Sequence, residues 1–90
     1  MSERHYLYDE TADTKTRFVS FMGTNHRFDL GIMNTDRYYG KSIVLDILSG
    51  RFAIIGSDDL DEEGYLEHAF NLNEEDGEEL REFLREVVSV

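Results

Sequence analysis

Lys41-Ser42-Ile43-Val44-Leu45-Asp46-Ile47-Leu48, a Ser49-Gly50 step, and Arg51-Phe52-Ala53-Ile54-Ile55-Gly56 form the stretch on which the fold turns. Both runs are rich in β-branched and aromatic residues, which suit a pleated surface. Ser49-Gly50 supplies a two-residue turn in which glycine can take positive φ. Symmetric pairing about that turn sets Ile47 opposite Phe52, Leu45 opposite Ile54, Val44 opposite Ile55 and Asp46 opposite Ala53. Side chains alternate across a strand, so both faces of this hairpin are largely apolar. A sheet in a small α+β domain ordinarily keeps one face wet. The second face here calls for cover, from the chain itself or from another subunit.

Toward the N-terminus, Arg17 to Met33 holds two alternating runs around Gly23-Thr24-Asn25-His26. Pairing about Thr24-Asn25 sets Phe21 opposite Phe28 and Val19 opposite Leu30, all four on one face. His5-Tyr6-Leu7-Tyr8 reads as a further short strand, and Thr35 to Gly40 as a loop. Toward the C-terminus, Tyr65 to Leu72 alternates Leu66, His68, Phe70 and Leu72 against Tyr65, Glu67, Ala69 and Asn71. It reads as a strand, with helix as the competing reading. Leu80, Phe83, Leu84, Val87 and Val88 make one helical stripe. Asn73 is a good N-cap for that helix, with Asp76 at the capping-box position. Glu74, Glu75 and Asp76 complement the dipole of its first turn. The expected fold is a single α+β domain over residues 1–90. Residues 5–72 form a mostly antiparallel sheet of four to six strands, and one long C-terminal helix over 73–88 packs on one face.

The chain has 90 residues, 40% of them hydrophobic and 32% charged, which suits one core and leaves no room for two. Nine basic residues against twenty acidic ones leave a net charge of −11. That balance opposes binding by phosphate neutralisation, so direct nucleic-acid and anionic-membrane contact are not expected. The apolar runs are too short to span a bilayer. Met1 to His5 lacks the apolar core of a signal peptide, and a cytoplasmic location is expected. Cysteine is absent, which excludes disulfides, a thiolate nucleophile and Cys-ligated metal. Charge is uneven along the chain. Residues 1–56 carry seven basic and seven acidic residues, whereas residues 57–90 carry Arg81 and Arg85 against thirteen acids. The whole excess sits in the last third, as a solvated helix face and loop or as a docking surface for a basic partner.

The chemical motifs fall short. Gly40-Lys41-Ser42 resembles the end of a phosphate-binding loop, but the motif's first glycine falls on Thr35, and a strand follows instead of a helix. Asp59, Asp61, Glu63, Gly64 and Leu66 match part of a calcium-binding EF-hand loop, yet its final bidentate glutamate is replaced by Phe70. His5, His26 and His68 show no ligand spacing, and Ser20 and Ser57 lack a nucleophile elbow. Asp46 alone among the acids is framed by apolar neighbours, Leu45 and Ile47, and a rim position or a hydrogen bond to a neighbouring strand or turn accounts for it. No catalytic, cofactor-binding or metal-ligating residue is assigned.

Several segments together resemble a family of short uncharacterised cytosolic proteins of Gram-positive bacilli. They are Tyr6 to Asp9, Lys15 to Gly23, Arg27 to Leu30, Tyr39 to Lys41, Val44 to Asp46, Arg51 to Gly56, Asp58 to Leu60, Tyr65 to Phe70 and Glu78 to Leu84. The resemblance spans nearly the whole chain and implies a bacterial cytosolic setting. It implies no activity, cofactor or catalytic residue. The expectation is therefore a small acidic non-enzymatic protein-binding or regulatory protein. The alternatives are an acidic nucleic-acid mimic or inhibitor, or a small-ligand binding protein or enzyme using His68, Asp46 or the Asp58–Glu63 cluster. A homodimer is expected, because one helix covers only one sheet face. Tyr38, Tyr39, Val44 and Ile55 are expected at its contact surface, and Asp58, Asp59, Asp61, Glu62 and Glu63 at a surface for a basic protein.

Overall fold

A computed structural model describes residues 3–88 of the chain. The strands are β1 (Lys15–Met22), β2 (Arg27–Asn34), β3 (Ser42–Asp46) and β4 (Arg51–Ile55), followed by the helices α1 (Ser57–Leu60), α2 (Tyr65–Phe70) and α3 (Glu74–Val87). The strands lie in sequence order and pair antiparallel throughout. This is an α+β fold in which a four-stranded meander precedes its helices.

The first hairpin takes the register that pairing about Thr24-Asn25 requires, with Phe21 opposite Phe28 and Val19 opposite Leu30. The second hairpin departs from symmetry about Ser49-Gly50. Val44 pairs with Ala53, Leu45 with Phe52 and Asp46 with Arg51, so four residues, 47–50, make the connection. Hydrogen bonding explains the wider turn. The Ile47 amide donates to the Asp29 carbonyl at 2.9 Å, which commits it to β2 and away from β4. Asp46 holds the turn by accepting from Ser49 Oγ at 2.8 Å, and its carbonyl accepts from the Gly50 amide at 2.8 Å. Gly50 has φ 75°, a conformation glycine adopts without penalty. A shift of two residues keeps every side chain on its expected face.

The sheet ends at Ile55, so it spans residues 15–55 and not 5–72. Residues 5–8 form no strand, and Tyr6, Leu7 and Tyr8 are exposed. Residues 65–70 are helical. Alternation fits Leu66 and Phe70 at period two, but the same pair also falls at i and i+4 of a helix. Both are buried while His68 between them is exposed, which only the helix allows. Asn71, with φ 54°, closes α2 in the left-handed conformation. In α3 the Asn73 side chain accepts from the Asp76 amide at 2.8 Å, the expected cap.

All three helices share one side of the sheet. The core joins Phe28, Leu30, Val44, Ala53 and Ile55 of the strands to Leu60, Leu66, Phe70, Leu80, Leu84 and Val88 of the helical layer. Phe83 sits at its rim, its ring 4.8 Å from Phe21, which stacks on Phe28 at 5.0 Å. Arg81 ties the helical layer together. Its Nε donates to the Leu60 carbonyl at 2.9 Å, and its other nitrogens reach Glu78 at 2.8 Å and Glu67 at 3.2 Å. Burial opposes its charge, but the two carboxylates outweigh that and raise its pKa.

Candidate functional site

The outer face of the sheet follows from the register. Even-numbered residues of β1 and β4 and odd-numbered residues of β2 and β3 point away from the helices. One row across the sheet reads Phe18, Gly31, Leu45, Phe52, and the next reads Thr16, Met33, Ile43, Ile54. Phe18 is 73% exposed and Phe52 62%, one on each edge strand; Ile47 and Met22 extend the patch and are also exposed. Leu45, Ile43, Ile54 and Met33 are half-buried between them. A Cβ on Gly31 would lie 3.3 Å from Leu45 and 3.4 Å from Phe18, so this glycine is the low point toward which both side chains lean. The charges within this pattern, Arg27 and Asp29, neutralise each other at 2.9 Å. A shallow groove of about 160 Å³ runs between Phe18, Ser20, Asp29 and Ile47. Contiguous exposed apolar surface is found at protein, membrane and ligand contact sites.

The expected contact residues divide among three places. Val44 and Ile55 are 0% exposed and lie beneath the helices, so neither can meet a partner. The hairpin has two apolar faces, and the helices cover the one with Val44, Ala53 and Ile55 because it continues into Phe28, Leu30 and Ile32 of β2. Tyr38 and Tyr39 occupy the β2–β3 loop at the end of the sheet, Tyr38 half-buried and Tyr39 almost fully exposed. In the same loop Arg37 lies 4.3 Å from the Tyr8 ring centroid and pairs with Glu10.

Asp58, Asp59, Asp61, Glu62 and Glu63 belong to α1 and the turn after it. Asp59 accepts from the Gly56 amide at 2.8 Å and from Lys41 Nζ at 3.1 Å. That hydrogen bond, with the charges of Asp59 and Asp58, raises the Lys41 pKa. Asp61 pairs with Arg85 at 3.0 Å.

Other acids of the helical layer serve a contact that sequence reasoning missed. The tip of the first hairpin docks on α3 through three carboxylates. The Thr24 amide donates to Glu79 at 2.8 Å, Asn25 Nδ2 donates to Glu75 at 3.1 Å, and His26 Nδ1 lies 3.9 Å from Asp76. Partners fifty or more residues apart leave no local pattern to find. Asp76, expected to close a capping box, turns its carboxylate toward His26 instead.

Asp46 and His26 both line a cleft of about 210 Å³, with Leu48, Ser49, Arg51, Phe70, Asn71 and Leu72. Asp46 is already engaged by Ser49, and His68 lies elsewhere, on the exposed side of α2. Among the described residues no group of three His, Cys, Asp or Glu side chains is placed to hold a metal. No helix among them is long and apolar enough to cross a membrane.

Fold and surface together define a two-layer α+β domain, with an acidic helical layer on one side and an open apolar sheet on the other. The chain belongs to the SAV0927-like family, whose model matches residues 7–86. That membership assigns no activity, and no curated protein matches the chain.

Proposed function

We propose that this protein is a small non-enzymatic binding or regulatory module of the bacterial cytoplasm, working through the open face of its sheet. One observation carries the reading: every helix packs on the inner face, and Phe18 and Phe52 remain exposed across one row of the outer face. Exposed aromatic anchors in a neutral surround are what protein interfaces use at their centres. The acidic layer then faces solvent and keeps the module dispersed. A basic partner on that layer is the weaker reading, because Asp59, Asp61, Glu67, Glu75, Glu78 and Glu79 already have partners within the chain.

The test is site-specific photocrosslinking in living bacterial cells. A photoreactive phenylalanine analogue at Phe18 is expected to give protein adducts, and the same group at the exposed Glu82 of α3 to give few. Adducts from position 82 with none from position 18 would overturn the assignment.

A further inference from the structure

We infer that the β1 edge takes an extended segment of another protein as a fifth, antiparallel strand, with apolar residues beside Phe18 and basic residues beside the glutamates of α3. The inference rests on the binding role given above to the open face, of which Phe18 is part.

The hydrogen-bond register fixes what the edge offers. The Gly23 amide donates to the His26 carbonyl at 2.7 Å, and bonded and non-bonded pairs alternate along an antiparallel ladder. Counting back from that pair, Phe21, Val19, Arg17 and Lys15 are the β1 residues that exchange bonds with β2. The bond from the Ile47 amide to the Asp29 carbonyl sets the same phase from the other side of β2. Thr16, Phe18, Ser20 and Met22 therefore turn their amides and carbonyls outward, and their side chains lie on the open face.

The two edges of the sheet differ. β4 has five residues, and the Tyr65 hydroxyl donates to its Ile54 carbonyl at 3.5 Å. β1 has eight residues, and among the described residues β2 is its one neighbouring strand. A long edge with unpaired amides and carbonyls is a template for strand addition.

Side chains select the guest. Guest residues bonded to Phe18, Ser20 and Met22 stand on the open face, where Phe18 and Met22 are exposed and apolar contact is favoured. The guest residues between them, opposite Val19 and Phe21, stand on the helical side. There the Phe83 ring lies 4.8 Å from Phe21, and Glu79 accepts from the Thr24 amide at 2.8 Å. Glu82 and Glu86 continue the stripe of Glu79 along α3; both are exposed, and among the described residues neither forms an ion pair. A lysine or arginine at these guest positions lays its stem along apolar surface and its charge at the glutamates. A second copy of this chain suits the edge poorly, because joining two β1 edges about a two-fold axis sets two α3 glutamate stripes side by side.

A labelled peptide that alternates Val and Lys over about the length of β1 tests the inference by fluorescence anisotropy. It should bind saturably, and a Val–Glu peptide of equal length about tenfold or more weakly. N-methylation at the valines, whose amides face β1, should abolish binding. N-methylation at the lysines, whose amides face away, should leave affinity within about twofold. Glu82→Lys combined with Glu86→Lys should weaken the Val–Lys peptide about tenfold or more while keeping the wild-type circular dichroism. Amide exchange followed by NMR should slow at Phe18, Ser20 and Met22 in the complex and stay unchanged at Val19 and Phe21, which β2 already protects. Equal binding of the two methylated peptides, loss with the lysine-methylated one alone, or protection away from β1 would overturn the inference. So would absence of binding, the result expected if a second copy closes the edge. Crosslinks from position 18 to another protein would still leave the open face standing as a binding surface.

Discussion

Neighbouring residues of similar chemistry have opposite fates in this protein. Leu84 has no exposed surface, whereas Phe83 beside it reaches only the rim and leans on Phe21. Leu84→Ala should therefore cost about 3–5 kcal/mol through an unfilled cavity, and Phe83→Ala less, about 1–2 kcal/mol, because solvent can fill its site. Urea unfolding of the two variants checks the order; equal losses would mean that Phe83 is as enclosed as Leu84. Titrating residues obey the same local logic. Burial raises the Tyr65 pKa from its ordinary 10.0, helped by the Asp59 carboxylate, and the Asp59 hydrogen bond raises Lys41 from 10.5. Both groups hold protons more tightly when folded. Their stabilisation is thus complete below their ordinary values and is lost as pH rises through the raised ones. The melting temperature should fall as pH rises past about 10, and fall less in Tyr65→Phe. A profile unchanged by that substitution would remove Tyr65 from the account.

Among the elements, the approach of α2 to α3 turns on one glycine. A Cβ on Gly77 would lie 2.2 Å from Glu67 Oε2 and 2.7 Å from Glu67 Cγ, and Glu67 is held in place by Arg81. In an isolated helix Gly→Ala would gain about 1 kcal/mol. Here Gly77→Ala should destabilise, because Glu67 must leave Arg81 to make room. In a Glu67→Ala background the same change should become stabilising. A double-mutant cycle by thermal unfolding reads the reversal; a gain in both backgrounds would show that the contact is not constraining. The hairpin tip makes a related point. Thr24, Asn25 and His26 form a turn by their own chemistry, but Glu79, Glu75 and Asp76 hold that turn on α3.

At the scale of the molecule, charge and apolar surface are sorted to opposite sides of one sheet. Repulsion within the helical layer is only partly relieved by Arg81, Arg85 and Lys41. Raising salt from about 10 mM to about 300 mM shortens the screening length several-fold and should raise the melting temperature. A fall would mean that attractive pairs outweigh the excess acids. Density of acids should not make a calcium site. Asp59 and Asp61 are committed to Lys41 and Arg85, and Phe70 is buried in the core. Neither millimolar calcium nor a chelator should shift the melting temperature, and a calcium-dependent rise would reverse that reading.

What the sequence determined by itself was local. The stripe from Leu80 to Val88, the Asn73 cap and the pairing of Phe21 with Phe28 follow from spacing and turn chemistry within a few residues of each other. The turn at Ser49-Gly50 was legible for the same reason, although its width depended on Asp29 of another strand. The short stretch from Tyr65 to Phe70 satisfied two periods at once, and only packing of Leu66 and Phe70 together chose the helix. The candidate site was legible as a need and not as a place. Residues 41–56 show two apolar faces, and nothing within the hairpin distinguishes them. Tertiary structure decided, through pairing of β3 with β2: Val44 continues the row of Ile32, whereas Leu45 continues the row of Gly31. Helices cover the side on which β2 presents Phe28, Leu30 and Ile32, because on the other side it presents Arg27, Asp29 and Gly31, and the apolar set loses more water on burial. Phe18 and Phe52 are left on the other side by default, and the open face exists for that reason.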